Sequence, residues 1–408
     1  MIKEKTANLQ NKLINFIIIA LFAIGTFFVI GGVFIGWSLI VIALIFWTYR
    51  FLKQEDMKLK NFLNIIYLKI KFPAFGLLLS FLLGGIIMYI SGYNPIRSYG
   101  AMIYGGLIKN WHITILNSIP LIFTGLSIAL AFKGGLFNIG AEGQYYIGAM
   151  VATWIGLRVN ISPFIIIPVI FIAGFMGGAL FNVIPAILKI KKGAHEVVTT
   201  MMLAYIAAIL SSLFIKFNGG NPVTSKHAYI TDTIFESAWL TKFDSIIPSA
   251  NYRLHIGILL AIGLAILVQF FLYRTRLGFL IRVVGESPQT AKTQGISVPK
   301  IIVLTLCLAG GIAALAGVTQ VLGLDHKMFE NLNAGYGWNG IAVALLANTS
   351  PIGVIFTALL WGALDAGGQY MARTVQTPTS IVEIIKGLVL FLLLAKYLFT
   401  YLKKRRKV

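Results

Sequence analysis

Twenty residues without a formal charge, LHIGILLAIGLAILVQFFLY (254–273), and a nineteen-residue run near the start, LINFIIIALFAIGTFFVIG (13–31), set the bounds on what this chain can fold into. A helix needs about 20 predominantly apolar residues to cross the hydrocarbon core of a bilayer. Backbone N–H and C=O groups find no water there, so a spanning segment must satisfy them internally. Hydrophobic residues make up 58% of the 408 and charged residues only 12%, against about a quarter charged in a soluble domain. The mean hydropathy is +0.86. The expected fold class is therefore all-α, a polytopic membrane protein.

The formal charge of +21 invites a nucleic-acid partner, but the basic residues are placed as topology signals. Of the 34 Lys and Arg, 22 fall in 1–12, 50–71, 189–192, 274–300 and 403–407. Placing those stretches in the cytoplasm satisfies the positive-inside bias at every crossing. No soluble domain exists to host nucleic acid, so no nucleic-acid partner is expected. The single cysteine, Cys307, lies in an apolar segment, which excludes a disulfide framework and a Cys-based metal site. It reads as a small buried packing residue. The first apolar run is longer than the core of a signal peptide and a second follows at 33–48, so 1–50 is expected to be a retained transmembrane hairpin.

After that hairpin comes a basic segment, 51–72, in which Leu59, Phe62, Leu63, Ile66 and Ile70 share one helical face. It reads as an interfacial helix or a plain basic linker. Ten apolar segments follow, near 74–91, 113–131, 142–157, 162–188, 196–216, 254–273, 301–323, 338–349, 352–370 and 380–401. The first five start inside and the second five start outside, which is the arithmetic of an inverted 5+5 repeat within a core of 73–402. Both termini, including the basic tail 403–408, are expected in the cytoplasm.

Between the second and third of these segments lies FKGGLFNIGAEGQYYIG (132–148), a Gly-rich, polar-studded break carrying Asn138, Glu142 and Gln144. Irregular backbone at membrane depth survives only where protein or a wet cavity shelters it, and interrupted helices point to a transport path. An inverted repeat predicts a second break at the matching place. Residues 335–343, GYGWNGIAV, precede a segment of only about 12 residues, too short to span at 1.5 Å per residue. Phe137-Asn138 and Trp338-Asn339 share an aromatic–Asn step.

The candidate path residues are Asn138, Glu142, Gln144, Trp338 and Asn339. The amides offer donors and acceptors to a polar uncharged ligand. Glu142 opens a helix, so its carboxylate serves either the path or the helix N-terminus. Glu383 and Lys386, three apart, read as a self-neutralising pair. Asp365 has no evident local partner. His195 and Glu196 read as polar residues at a helix start. The stretch 274–300 reads as a short helix followed by a Gly-containing turn, with Arg282, Glu286 and Lys292 facing water or a partner. No phosphate loop, H-E-x-x-H or G-x-S-x-G occurs, so no cofactor, metal or catalytic residue is expected, and any ATP is bound by another chain.

At these residues the chain resembles a permease of the ATP-binding-cassette importers for ribose-type sugars, branched-chain amino acids and nucleosides. It is most similar to the nucleoside-uptake branch that works with basic membrane lipoproteins. The resemblance rests on GLFNIGAEGQYYIGA (135–149), GAHEVVTTMMLAYIA (193–207), VVGESPQTAKTQGISV (283–298), GWNGIAVALLANTSPIGVI (337–355) and WGALDAGGQYM with IVEIIKGLVLFLLLA (361–395). It departs from the pattern at Ala204, where Asn is frequent, at Lys292, where Ala is frequent, and at Lys386, where Gln is common.

The resemblance implies a transport subunit rather than an enzyme, in the plasma membrane. It also implies a second permease chain, a cytoplasmic ATP-binding-cassette ATPase and an extracytoplasmic substrate-binding lipoprotein. ATP binding would pull 274–300, with Arg282, Gly285, Glu286, Pro288, Ala291 and Gly295 as the coupling residues, and switch a central cavity between outward and inward access. The expected cargo is a nucleoside, with a sugar or other small polar solute as the alternative. An ion-coupled secondary transporter would use Glu142 and Asp365 as ion ligands, but it gives 274–300 no special role. A membrane enzyme has no catalytic constellation to support it.

Overall fold

The computed structural model describes residues 59–218, 221–222, 229–243, 253–330, 332 and 335–405, and the hairpin expected over 1–50 lies outside them. Two compact units are distinguished, Met1–Phe75 with Phe243–Tyr252, and Gly76–Lys242 with Arg253–Val408. In the first, the described part is chiefly the start of α1 (Leu59–Ile90). That helix runs without interruption through Lys71, Phe72 and Pro73, so the basic stretch from Leu59 onward and the first apolar segment form one element.

The larger unit is helical almost throughout. All ten apolar segments read from the sequence are helical: the end of α1, then α3 (Trp111–Lys133), α4 (Ala141–Gly156), α5 (Pro163–Phe181) continued by α6 (Val183–Lys192), α7 (Glu196–Phe217), α8 (Gly257–Arg274), α11 (Val298–Gln320), α12 (Tyr336–Leu346), α13 (Pro351–Thr374) and α14 (Ser380–Arg405). Among the described residues, six stretches are long and apolar enough to cross a membrane: Trp111–Lys133, Pro163–Lys192, Glu196–Phe217, Gly257–Arg274, Val298–Asp325 and Pro351–Thr374. The protein is a multi-pass membrane protein.

Between these helices lie shorter elements. α2 (Pro95–Tyr104) and a π-helical turn (Gly105–Lys109) fill what the hydropathy pattern leaves as a loop. Their signal is local: Asn94 accepts hydrogen bonds from the backbone of Ile96 and Arg97, and Pro95 takes the first helical position. Between α7 and α8 a two-stranded antiparallel ribbon pairs β1 (Asn221–Pro222) with β2 (Tyr229–Ile230). Between α8 and α11 lie α9 (Arg276–Glu286) and α10 (Pro288–Thr293).

Two helices form the core. α3 and α11 are each 23 residues long and buried on nearly all sides, whereas α5, α7 and α8 expose most of their surface. α3 packs on α12 and α13; α11 packs on α4 and α5. Apolar surface alone does not hold helices together in lipid, so close backbone approach at small residues carries much of the association. Gly148 of α4 lies against the Ala314 carbonyl of α11, and Gly317 of α11 against the Tyr145 carbonyl of α4; a Cβ at either position would collide with backbone.

A buried break and a polar cavity

The first break, between α3 and α4, is closed by its own polar groups. Gly135 adopts a left-handed conformation (φ +69°) that turns the chain out of α3. Asn138 and Gln144 then form a reciprocal amide pair. The Asn138 Nδ2 donates to Gln144 Oε1 at 2.9 Å, and the Gln144 Nε2 donates to Asn138 Oδ1 at 3.0 Å. Asn138 also donates to Ser127 Oγ at 3.2 Å and accepts from the Gly140 N–H at 3.3 Å. Each of the two amides is only 1% exposed. These two expected path residues are therefore brought together, but as a lock inside the protein.

A second group anchors the same break from the α6–α7 junction. The buried Glu196 carboxylate accepts from Lys189 Nζ at 2.6 Å and from the Phe137 N–H at 3.4 Å. Sequence reading took Glu196 for simple helix-start polarity; its reach back to Phe137 depends on the turn between α6 and α7. His195 beside it is largely exposed.

The α9–α10 stretch has the predicted form, a helix followed by a Gly-containing turn at Gly295 (φ +73°). Thr275 caps α9 through the Gly278 N–H, and Ser287 caps α10 through the Thr290 N–H. Pro288 opens α10, Glu286, Pro288 and Lys292 are exposed, and Ala291 is fully buried. Arg282 does not face water freely. Its Nε donates to the Leu272 carbonyl at 3.0 Å, and its guanidinium lies 5.0 Å from the Tyr273 ring. Gly285 packs on the first break itself: a Cβ there would collide with the Lys133 carbonyl and the Gly134 backbone, and a Cβ on Gly135 would stand 2.9 Å from the Gly285 oxygen.

The second break, from His326 to Gly335, ends at α12. Glu142 at the start of α4 reaches across, and its Oε2 accepts from the Gly337 N–H at 2.9 Å. The carboxylate thus satisfies an orphan donor at a helix N-terminus of the other half of the chain, where negative charge is favoured. Thr124 of α3 donates to the Tyr336 carbonyl at 3.0 Å.

Beside this junction lies a cavity of about 340 Å³. Small-molecule sites are usually clefts of this order or larger. Its wall includes the amides of Asn117, Asn339 and Gln369, the Tyr336 ring and the charged trio Asp365, Glu383 and Lys386. Of the expected path residues only Asn339 lines it; Trp338 is half-buried outside it. Lys386, 4% exposed, pairs with Asp365 across the helices and with Glu383 at 3.1 Å along α14. The Glu383–Lys386 pair matches the spacing. The Asp365 partner was not legible, because it comes from α14, 21 residues later. Cys307 is half-buried.

Comparisons with known proteins agree on the class. The family described as branched-chain amino acid transport system / permease component matches residues 110–394. The chain is 32% identical to the guanosine ABC transporter permease protein NupP of Bacillus subtilis (strain 168), over 82% of this chain and 96% of the relative. It is 33% identical to the nucleoside ABC transporter permease protein NupB of Lactococcus lactis subsp. cremoris (strain MG1363), over 83% and 94%. The glucose ABC transporter permease protein TsgB13 of Haloferax volcanii is 29% identical over 80% of this chain and 87% of its own length.

Proposed function

The chain belongs to the permease components of the branched-chain amino acid transport system family, and from that premise we propose that it is the membrane-spanning subunit of an ATP-driven nucleoside importer. The observation that carries the cargo is the cavity of about 340 Å³ with Asn117, Asn339 and Gln369 on its wall. Among the described residues these three amides have no hydrogen-bond partner, unlike Asn138 and Gln144, which are spent on each other. An uncommitted amide offers a donor pair and an acceptor together, which suits the mixed edges of a nucleobase and the hydroxyls of a ribose. Two relatives named for guanosine or nucleosides support the same reading. A glucose-named relative and the hydroxyl-binding capacity of amides make a sugar the second reading.

The subunit works with a cytoplasmic ATPase, a second permease chain and an extracytoplasmic substrate-binding lipoprotein, in the plasma membrane with both termini inside. Family membership sets aside ion-coupled transport. Alternating access follows from a contact rather than from a distant pathway. ATP-driven closure of the ATPase displaces α9 and α10, and Gly285 is seated on the turn at Gly134 and Gly135. Movement of α9 therefore moves the first break and the start of α4, whose Glu142 holds the N-terminus of α12 and so the cavity wall. Arg282, Glu286, Pro288, Ala291 and Gly295 shape and present this coupling stretch.

An inverted repeat is supported by element order and by reciprocal packing. α3 and α11 are equal in length, each leads to a break and a short helix, α11 by way of a π-helical turn (Val321–Asp325), and each packs on the third and fourth helices of the opposite half.

The test is radiolabelled guanosine uptake into vesicles carrying this chain with the ATPase and lipoprotein of its own source, with and without internal ATP. Uptake that requires ATP and the lipoprotein is the expected result. Uptake of glucose but not guanosine would replace the cargo, and guanosine uptake indifferent to ATP would overturn the mechanism.

A further inference from the structure

The charged trio on the cavity wall is unequal, with two carboxylates to one ammonium. Lys386 has three N–H donors. Two are committed to Asp365 and Glu383, and the Nζ lies 5.9 Å from the Trp361 ring centroid, whose face draws the remaining charge. Only 4% exposed and held between two carboxylates, this lysine presents little of its charge to an anionic ligand. Glu383, by contrast, has 64% of its side chain exposed, and its carboxylate carries the charge the ammonium leaves unbalanced. The other polar groups on the wall, Asn117, Asn339, Gln369, Thr379 and the Tyr336 hydroxyl, are neutral. Arg373, one turn beyond Gln369 on α13, does not line the cavity.

We propose that this cavity is a charge filter: the Asp365–Lys386–Glu383 trio gives it a net negative charge, so it admits uncharged or cationic solutes and rejects phosphorylated ones. The inference rests on the cavity being the cargo path. It adds the property that separates a nucleoside from its monophosphate. A phosphate monoester brings close to two negative charges, and the cavity offers it repulsion, since among the described residues Lys386 is the only cation on its wall and is already paired. Like charges at partly screened distances cost enough to alter access by an order of magnitude.

The filter is testable without any cargo. Gln369 is exposed on the cavity wall, and Cys307 is the only cysteine of the chain, so Gln369→Cys with Cys307→Ala places one thiol in the cavity. The full-length chain in lipid nanodiscs is treated with a cationic trimethylammonium-ethyl thiosulfonate or an anionic sulfonato-ethyl thiosulfonate. Each rate is divided by the rate of that reagent with a free thiol in solution. The cationic reagent should be favoured by about tenfold.

Adding Glu383→Gln, which neutralises an exposed side chain, should bring the ratio close to that of the free thiol. The pair Asp365→Asn with Lys386→Gln keeps the net charge while removing the buried ion pair, and should leave the preference standing. A ratio near that of the free thiol in the parent, or an unchanged preference after Glu383→Gln, would overturn the filter. Loss of the preference in the charge-preserving pair would also overturn net charge as its cause. Failure here leaves the ATP-dependent uptake assay untouched, and failure of guanosine uptake leaves these rates to be read as they stand.

Discussion

Each of the two 23-residue helices at the core leads to a break, α11 only after the π-helical turn, and the two breaks are held in opposite ways. The first is closed from within: Asn138 and Gln144 satisfy each other, Ser127 takes the second N–H of the Asn138 amide, Glu196 at the start of α7 accepts from the Phe137 N–H, and Gly285 of α9 packs on the turn. The second is held from without. The segment 231–240 binds it through Thr231 N–H to the Met328 carbonyl at 2.8 Å and Ile234 N–H to the His326 carbonyl at 2.9 Å, and Glu142 caps the helix that follows. An aromatic–Asn step lies inside the first break at Phe137-Asn138 and just past the second, in α12, at Trp338-Asn339, yet Asn138 is sealed and Asn339 faces a cavity. The difference lies six residues downstream, where Gln144 follows Asn138 and the apolar Leu345 follows Asn339. A residue type marks a polar site; the partner within reach decides whether it is a lock or a wall.

The largest expected effect breaks the contact between the coupling stretch and the first break. Gly285→Val drives a branched side chain into the Lys133 carbonyl and the Gly134 backbone. ATP-dependent uptake should fall to background while the chain stays at its normal level in the membrane, as read by immunoblot of the vesicles. Uptake near the unmodified level would dissociate α9 from the break.

Next comes the contrast between the two asparagines. Asn138→Leu strands the Gln144 amide and the Ser127 hydroxyl in the interior, which costs about 1–3 kcal/mol for each group left without a partner. Thermal unfolding in detergent should register the loss, and the double variant with Gln144→Leu should recover part of it, because the two residues act as one unit. Asn339→Ala should leave thermal stability unchanged and raise the KM for uptake. A KM shift from Asn138→Leu in protein that remains folded, or a stability loss from Asn339→Ala, would reverse the assignment of lock and wall.

Much of this arrangement was legible in the sequence, and what was missed shares one physical cause. The apolar periodicity set the helices from α3 to α14, and Gly135, with its neighbouring amides, marked the first break. The short segment after Gly335 pointed to the second, but that break was expected over 335–343, whereas Tyr336–Leu346 is helical and the break ends at Gly335 before it. Periodicity carries no record of which helix faces which, so Asp365 had no visible partner until α14 brought Lys386 to it. Glu196 looked like a helix-start residue because its target, Phe137, lies 59 positions away. α2 was hidden by its modest hydropathy although Asn94-Pro95 announced it. The amides of Asn138 and Gln144 were visible but their mutual pairing was not, since donors and acceptors that suit a ligand suit each other equally well.

A smaller effect probes the link between the breaks. Glu142→Gln keeps an oxygen acceptor for the Gly337 N–H but removes the charge from the N-terminus of α12, at a cost of about 0.3–1 kcal/mol. The unfolding midpoint should drop slightly and the KM should change with it, since α12 carries Asn339. A drop in stability with an unchanged KM would show that the cavity wall does not depend on this cap.

The last effect is confined to the second break and emerges only on acidification. His326 opens that break in a left-handed conformation (φ +55°), stacks on Trp239 with ring centroids 4.0 Å apart, and has no hydrogen-bond partner for either ring nitrogen among the described residues. Burial, then the nearby Lys242 and Arg253 cations, push its pKa down to about 4. His255 beside it is also pushed down to about 4, by burial first and then by His326 and Lys242.

A histidine whose folded-state pKa is depressed stays neutral in the fold while the unfolded chain, with a value near 6.5, takes up a proton. Its contribution to stability is therefore complete above about pH 6.5 and is lost as the pH falls towards about 4. Unfolding midpoints of the detergent-solubilised protein should decline across that window. His326→Phe, which retains the stack on Trp239, should flatten the decline. An equal decline in both proteins would place the acid sensitivity elsewhere, and the two breaks would then differ in geometry but not in their response to protons.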